Sequence, residues 1–443
     1  MTKRIACFTA YKAPADLTPG TQGGCPPEVM KLMSQLAEGS WEIDLYCAQD
    51  NFFELKVMDG GKGIRVIQIP LNAEVGISLG GKQLGNLVQV VQDFVTAEGL
   101  QYDLVYTAQL SSAAAAIALK DIYRIPLVFA LAGQEHASPF SGTTERPGIS
   151  LKLEQQIVRR ADLVIVENQQ TKAELIEEHA ASAKKIFVVP AGVNPEEFKP
   201  ENKIYAKERL NWDAKGQLLL HVAGLNELNG VDNIIKAMAL LDAANREISL
   251  VIIQDQSKPG YLEADSEQIR LESMAQDLGL TRQVTFVALK EESALKDYYA
   301  AADILVITPG NKSGSTNVLQ AMACGTPVIG SEGPAINLGV LDGKTGFLVP
   351  TKAAEVLADR IGLILRNEAL LDQMRRNSVK HVRENFSWEQ VADQLEDLFE
   401  YVILTKGKKD LPAQKKTRGS VNRSTPARSS SLKRNILARY GNS

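Results

Sequence analysis

Cysteine, histidine and tryptophan are scarce, at four, four and three residues in a chain of 443. The cysteines, Cys7, Cys25, Cys47 and Cys324, lie far apart and form neither a metal-ligand pair nor a dense disulfide framework. That spacing argues against a structural zinc and suits a reducing compartment. No apolar run approaches the roughly 20 residues that span a bilayer. The opening MTKRIACFTA passes from a short basic tip straight into a β-like stretch, unlike a secretory leader. These absences lead to the expectation of a cytoplasmic protein without a transmembrane segment, peripheral if it meets a membrane at all.

What is present fits a folded globular chain. Hydrophobic residues make up 44% and charged residues 23%, values that exclude global disorder. The length allows two ordinary domains with something to spare. The net charge of −4 hides an asymmetry, because residues 406–443 hold eleven Lys or Arg against one acidic residue, Asp410. That tail therefore carries +10 and the rest of the chain −14, an acidic body with a basic arm.

Short β-branched runs alternate with segments of helical period, the pattern of parallel sheets with crossover helices. In the first half the expected strands are 4–9, 43–47, 65–69, 103–107, 126–130, 163–166 and 186–189. Helices are expected at 27–36, 84–97, 111–122, 151–160 and 170–178. The stretch PAGVNPEEFKP at 190–200 breaks both periods and reads as a linker. A second series follows, with strands at 218–222, 249–254, 284–287, 304–307 and 327–330 and helices at 231–241, 266–278, 294–301, 317–323 and 353–367. A last amphipathic helix is expected over 386–404. Beyond it, Lys, Arg, Ser and Pro dominate, leaving too little apolar surface to offset the entropy of ordering, so 406–443 is expected to be disordered.

Several segments, in order, resemble the family 4 glycosyltransferases: AMACGTPVIG at 321–330, GKTGFLVP at 343–350, LHVAGLNELNGVDNIIKAM at 220–238, YYAAADILVITP at 298–309 and the linker itself. Gly23 and Gly24 ahead of a helix resemble that family's phosphate-side glycine loop, and FSWEQVADQLEDLF at 386–399 its closing helix. The resemblance covers about residues 1–404. It implies an α/β GT-B fold, two facing Rossmann-like domains with parallel sheets. Residues 1–190 would form the acceptor-side domain and 191–385 the nucleotide-sugar side. Residues 386–405 would be a C-terminal helix returning to the first domain, and 406–443 a basic tail. It also implies a retaining transfer from a UDP-, GDP- or ADP-linked sugar with no required cofactor.

Open α/β sheets bind ligands beyond the carboxyl ends of their strands, where helix N-termini direct amides at phosphates. Ser313, Gly314, Ser315 and Thr316 open such a helix, and they fit either a phosphate nest or a plain helix cap. The family's charge-bearing positions are different here. Its Arg and Lys after the first donor-domain strand align with Gly224 and Asn229, and its two glutamates with Lys312 and Gln320. Gln320 keeps a carbonyl acceptor suited to a ribose hydroxyl, while Lys312 is either a relocated phosphate cation or a solvated loop lysine. The first-domain histidine aligns near Leu131, which leaves Glu135 and His136 as weak catalytic candidates along with Lys312. A carboxylate expected before Gly343 aligns with Leu338. His221, inside an apolar strand, reads as a core residue. No metal site is expected.

Two functions follow. One is a glycosyltransferase acting on an unknown acceptor, with Gly23, Gly24, Ser313, Gly314, Ser315 and Thr316 at the phosphates, Gln320 at the ribose, and Gly224 and Asn229 in the donor loop. The other is a lapsed pseudo-glycosyltransferase that senses nucleotides or scaffolds a partner. The tail, with Tyr440 as its single aromatic residue, is a candidate arm for a protein, an anionic lipid or RNA, with base stacking poorly supported.

Overall fold

The computed structural model describes residues 2–12, 27–49, 55–70, 81–131, 151–212, 216–222, 230–242, 248–255, 264–289, 292–308 and 315–406. It divides into two compact units, Met1–Pro190 with Val391–Ser443, and Ala191–Gln390. Both are parallel α/β layers, as the alternation of apolar strand runs with amphipathic segments predicts.

The first unit runs β1 (Lys3–Lys12), α1 (Pro27–Glu38), β2 (Trp41–Gln49), β3 (Lys56–Asp59), β4 (Ile64–Pro70), α2 (Gly81–Ala97), β5 (Leu104–Thr107), α3 (Ala113–Tyr123), β6 (Leu127–Leu131), α4 (Leu151–Arg160), β7 (Leu163–Val166), α5 (Gln169–His179) and β8 (Ile186–Val188). Its eight strands are ordered β3-β4-β2-β1-β5-β6-β7-β8. Every pair is parallel except β3 with β4. Central strands such as LVYT in β5 and LVIV in β7 are buried at every residue, as expected where helices cover both sheet faces. One buried charge, Asp44, is fully engaged. It accepts from Arg4 Nη1 at 3.2 Å, Arg65 Nε at 2.8 Å and the Tyr102 hydroxyl at 2.6 Å, the pairing that a buried carboxylate requires.

The second unit contains α6 (Lys203–Arg209), β9 (Gln217–Val222), α7 (Val231–Asp242), β10 (Ile248–Asp255), α8 (Ala264–Asp277), β11 (Val284–Leu289), α9 (Leu295–Ala301), β12 (Ile304–Ile307), α10 (Ser315–Ala323), β13 (Val328–Ser331), α11 (Pro334–Gly339), β14 (Gly346–Val349), α12 (Ala354–Leu365) and α13 (Glu368–Asn385). Its six strands are ordered β11-β10-β9-β12-β13-β14, with all pairs parallel. The order reverses between β9 and β12. That reversal makes the crevice beyond their carboxyl ends the place where an open α/β sheet binds ligands.

The last helix, α14 (Trp388–Lys406), buries Val391, Leu395, Leu398, Phe399 and Val402. In the first unit Phe399 stands edge-on to Trp41 at 5.9 Å, the Trp41 indole donates to Glu396 at 3.1 Å, and Lys3 pairs with Glu400. Five elements were not expected from the sequence: β3, α6, α11, β14 and α13. Strand β3 is a short, mostly exposed edge with little apolar signal. In α13 the buried stripe is Leu371, Met374, Ser378 and Val382, and its serine interrupts the apolar period. No helix among the described residues is long and apolar enough to cross a membrane.

Candidate functional site

The β9–β12 switch point of the second unit is built by two strand-to-helix transitions. Strand β9 ends at Val222, and after residues 223–229, which lie outside the described residues, the chain re-enters at Gly230 and begins α7. Strand β12 ends at Ile307 and is followed by Thr308, and after 309–314, also outside the described residues, the chain begins α10 at Ser315. Two cross-links tie the transitions together. Asn317 Nδ2 in the first turn of α10 donates to the Val222 carbonyl at 2.9 Å, and Thr308 Oγ1 donates to the Gly230 carbonyl at 3.0 Å.

Gly230 is required here twice over. Its φ of +65° is left-handed, where side chains other than glycine are strained. A Cβ on it would also lie 2.5 Å from the Thr308 carbonyl oxygen. The amino ends of α7 and α10 are thereby fixed side by side, and helix amino ends direct backbone amides at an anion; in α7 the Asn233 amide already donates to the Gly230 carbonyl at 3.0 Å.

Among the expected site residues, Thr316 lies half-buried in the first turn of α10 and Ser315 begins that helix. Gln320 is one turn further on and buried, and its Oε1 accepts a long hydrogen bond of 3.4 Å from the Tyr299 hydroxyl. Gly23, Gly24, Glu135, His136, Gly224, Asn229, Lys312, Ser313 and Gly314 lie outside the described residues. Leu131 ends β6, is buried in the apolar core of the first unit and pairs in register with Val166. Leu338 lies on α11 and packs against the apolar core of the second unit. His221 is fully buried, and its Nδ1 donates to the Val306 carbonyl at 2.8 Å. Burial pulls its pKa down to about 4 against a smaller opposing effect of that hydrogen bond, so the ring is neutral at ordinary pH.

Two sets of residues escaped the sequence reading. Asn233, in the first turn of α7, and Ser331, at the carboxyl end of β13, are buried, and Asn233 Nδ2 and Ser331 Oγ have no hydrogen-bond partner among the described residues. Buried polar atoms of this kind call for a ligand or an ordered water. In the first unit, the carboxyl ends of β1 and β5 hold a buried polar cluster. Thr107 Oγ1 lies 2.6 Å from Ser112 Oγ, Thr9 Oγ1 donates to Gln109 Oε1 at 3.0 Å, and Ser112 Oγ donates to the Phe8 carbonyl at 3.3 Å. This is the switch point of the first sheet. Its signal in the sequence is the polar run TAQLSS at 107–112, directly after an apolar strand.

Comparison with known proteins bears on this geometry. Residues 202–381 match the family model for glycosyl transferases group 1, and residues 23–192 match that for the glycosyl transferase 4-like domain. A D-inositol 3-phosphate glycosyltransferase of Corynebacterium jeikeium is 30% identical over 410 residues, covering 90% of this chain and 96% of that one. The chain belongs to the family 4-type glycosyltransferases. Solved structures share the fold of these glycosyltransferases. Sucrose-phosphate synthase from Thermosynechococcus elongatus superposes with a TM-score of 0.70 at 24% identity, over 91% of this chain and 100% of that one. HepE from Anabaena in complex with UDP gives 0.66 at 17%, over 90% and 99%, and HepE has also been solved with UDP-glucose.

Proposed function

We propose that the chain transfers a glycosyl unit from a nucleotide-sugar donor held at the β9–β12 switch point of the second unit. The observation that carries this reading is the pair of helix amino ends, α7 and α10, locked together by the Asn317–Val222 and Thr308–Gly230 hydrogen bonds. In the transfer, the bond between the anomeric carbon and the diphosphate oxygen breaks, and a bond from the acceptor oxygen forms at the same carbon. The nucleoside diphosphate leaves with the bonding electrons, and the proton of the acceptor hydroxyl passes to the departing diphosphate oxygen. Negative charge grows on the leaving group, and preorganised donors aimed at it lower the barrier. The first-turn amides of α10, the hydroxyls of Ser315 and Thr316, and Lys312 supply them in this reading, with Gly224 and Asn229 in the donor loop and Gly23 and Gly24 as further phosphate-binding candidates. Gln320 accepts from a ribose hydroxyl, exchanging its long contact with Tyr299.

The binding of UDP and UDP-glucose by HepE makes a uridine diphosphate sugar the first donor to test. The relatives named for D-inositol 3-phosphate make a phosphorylated polyol the first acceptor to test. Glu135 and His136 remain catalytic candidates in this reading, and the basic tail at 406–443 is an arm for an acidic partner. The comparisons add nothing for the alternative of a nucleotide sensor or scaffold.

Calorimetry with UDP-, GDP- and ADP-sugars, followed by product detection with D-inositol 3-phosphate and other polyol phosphates, tests the reading. Turnover should fall about 100- to 1,000-fold in Lys312→Ala, as when one oriented donor is lost from such a site. Tight nucleotide binding without turnover on any acceptor would favour the sensor instead.

A further inference from the structure

The second unit carries a separate cavity at the opposite edge of its sheet. It encloses about 570 Å³, within the roughly 300–1,000 Å³ typical of small-molecule sites. Its walls come from the start of α6, the residues just ahead of β12 and β13, and one face of α13. Because β12 and β13 are parallel, their amino ends face away from Thr308 and Thr316. The nucleotide crevice and this cavity therefore lie at opposite edges of one sheet.

The charge of the cavity is one-sided. Arg375, Arg376, Lys380 and Arg383 project from successive turns of α13, and Lys203 faces them from α6, against Glu201 and Glu384. Glu201 is already engaged by Arg209 at 2.5 Å. The buried carboxylate of Asp303 anchors Lys203 and, at 3.1 Å, Arg375. Those two cations are fixed at the back. Arg376 and Arg383 are exposed and form no ion pair among the described residues, and Lys380 reaches Glu384 only at 4.0 Å. The floor is apolar, formed by Ala300, Ala302 and Val379.

We propose that this cavity is a binding site for a small phosphomonoester, its phosphate held by Arg376, Lys380 and Arg383 and its body resting on Ala300, Ala302 and Val379. Arginine forks match phosphate oxygens in pairs. Three cations on one helix face suit a doubly charged group better than a carboxylate. Burial pushes the pKa of Lys203 down to about 8, with Asp303 opposing and Lys207 and Arg375 adding smaller downward effects.

The test is a calorimetric titration of the full chain with glucose 6-phosphate, inorganic phosphate and glucose, and with vesicles of phosphatidic acid in phosphatidylcholine. It is repeated on Arg376→Ala/Arg383→Ala, whose exposed side chains can be removed without disturbing the fold. Glucose 6-phosphate should bind saturably and more tightly than inorganic phosphate, while glucose should not bind here. The double variant should raise the Kd by about tenfold or more, the scale of one or two charge-assisted hydrogen bonds, with its melting temperature and UDP affinity unchanged. Equal affinity in parent and variant overturns the proposal, as does loss of UDP binding in the variant. Binding confined to the vesicles also overturns it, by assigning the cations to a lipid surface. An Arg383→Glu variant that binds glucose 6-phosphate as the parent does would be equally decisive against it.

Discussion

Replacing Gly230 by alanine combines two costs that other glycines of the chain allow to be separated. Gly230, Gly279 and Gly343 all have left-handed backbones, with φ of +65°, +75° and +71°. Alanine at any of them incurs the left-handed penalty of about 1–2 kcal/mol, partly offset by the lower entropy of the unfolded chain. At Gly279 and Gly343 a new Cβ meets nothing within 4 Å, whereas at Gly230 it meets the Thr308 carbonyl oxygen at 2.5 Å and its Oγ1 at 3.0 Å. Thr308 is buried, so the clash is relieved only by moving backbone. Such strain costs about 1–3 kcal/mol, and losing the Thr308–Gly230 hydrogen bond adds about 1 kcal/mol. Gly279→Ala should therefore destabilise by about 1 kcal/mol and Gly230→Ala by about 2–4 kcal/mol more. Urea denaturation measures the difference, and titration with a UDP-sugar should show weakened binding in Gly230→Ala alone. Equal destabilisation of the two variants would refute the steric argument. Full stability loss with unchanged nucleotide affinity would refute the link between this turn and the donor site.

Four further outcomes are expected. Phe399→Ala removes a fully buried ring from between Trp41 and Tyr106 and should cost about 3–5 kcal/mol in denaturant unfolding, while truncation after Lys406 should leave the melting temperature unchanged. His221 is neutral in the fold, with its pKa lowered from 6.5 to about 4. Between those values the unfolded chain binds a proton that the folded chain does not, so stability should fall as pH drops from 6.5 toward 4, by up to about 3 kcal/mol; His221→Gln should flatten that part of the stability–pH curve. Gly346→Ala would place a Cβ 1.8 Å from the Val328 carbonyl oxygen across the β13–β14 pair. It should abolish soluble expression or melt far below the parent, a contact too close for repacking.

The buried strands were legible in the sequence because both faces of a parallel sheet are covered, so runs such as LVIV at 163–166 and ILVI at 304–307 are apolar throughout. Both were delimited to the residue. Strand β14 was hidden because GFLV is short and opens on Gly346, whose missing side chain lets it approach Val328. Helix α13 was hidden by Ser378, a polar member of its buried stripe that donates to the Thr345 carbonyl at 3.2 Å. At the candidate site, the small residues opening α10 were legible from helix-start chemistry. Asn233 and Ser331 were not, because a buried asparagine or serine without a partner looks in sequence like any other polar residue near a strand end.

The claim that a nucleotide sugar sits at the β9–β12 switch point is tested most directly by hydrogen exchange, with and without the nucleotide sugar that calorimetry finds to bind most tightly. Slowed exchange is predicted at the amino ends of α7 and α10, covering residues 230–235 and 315–320, with α13 unchanged. Protection confined to α13 or to the first unit, or no protection despite saturating ligand, would contradict the account.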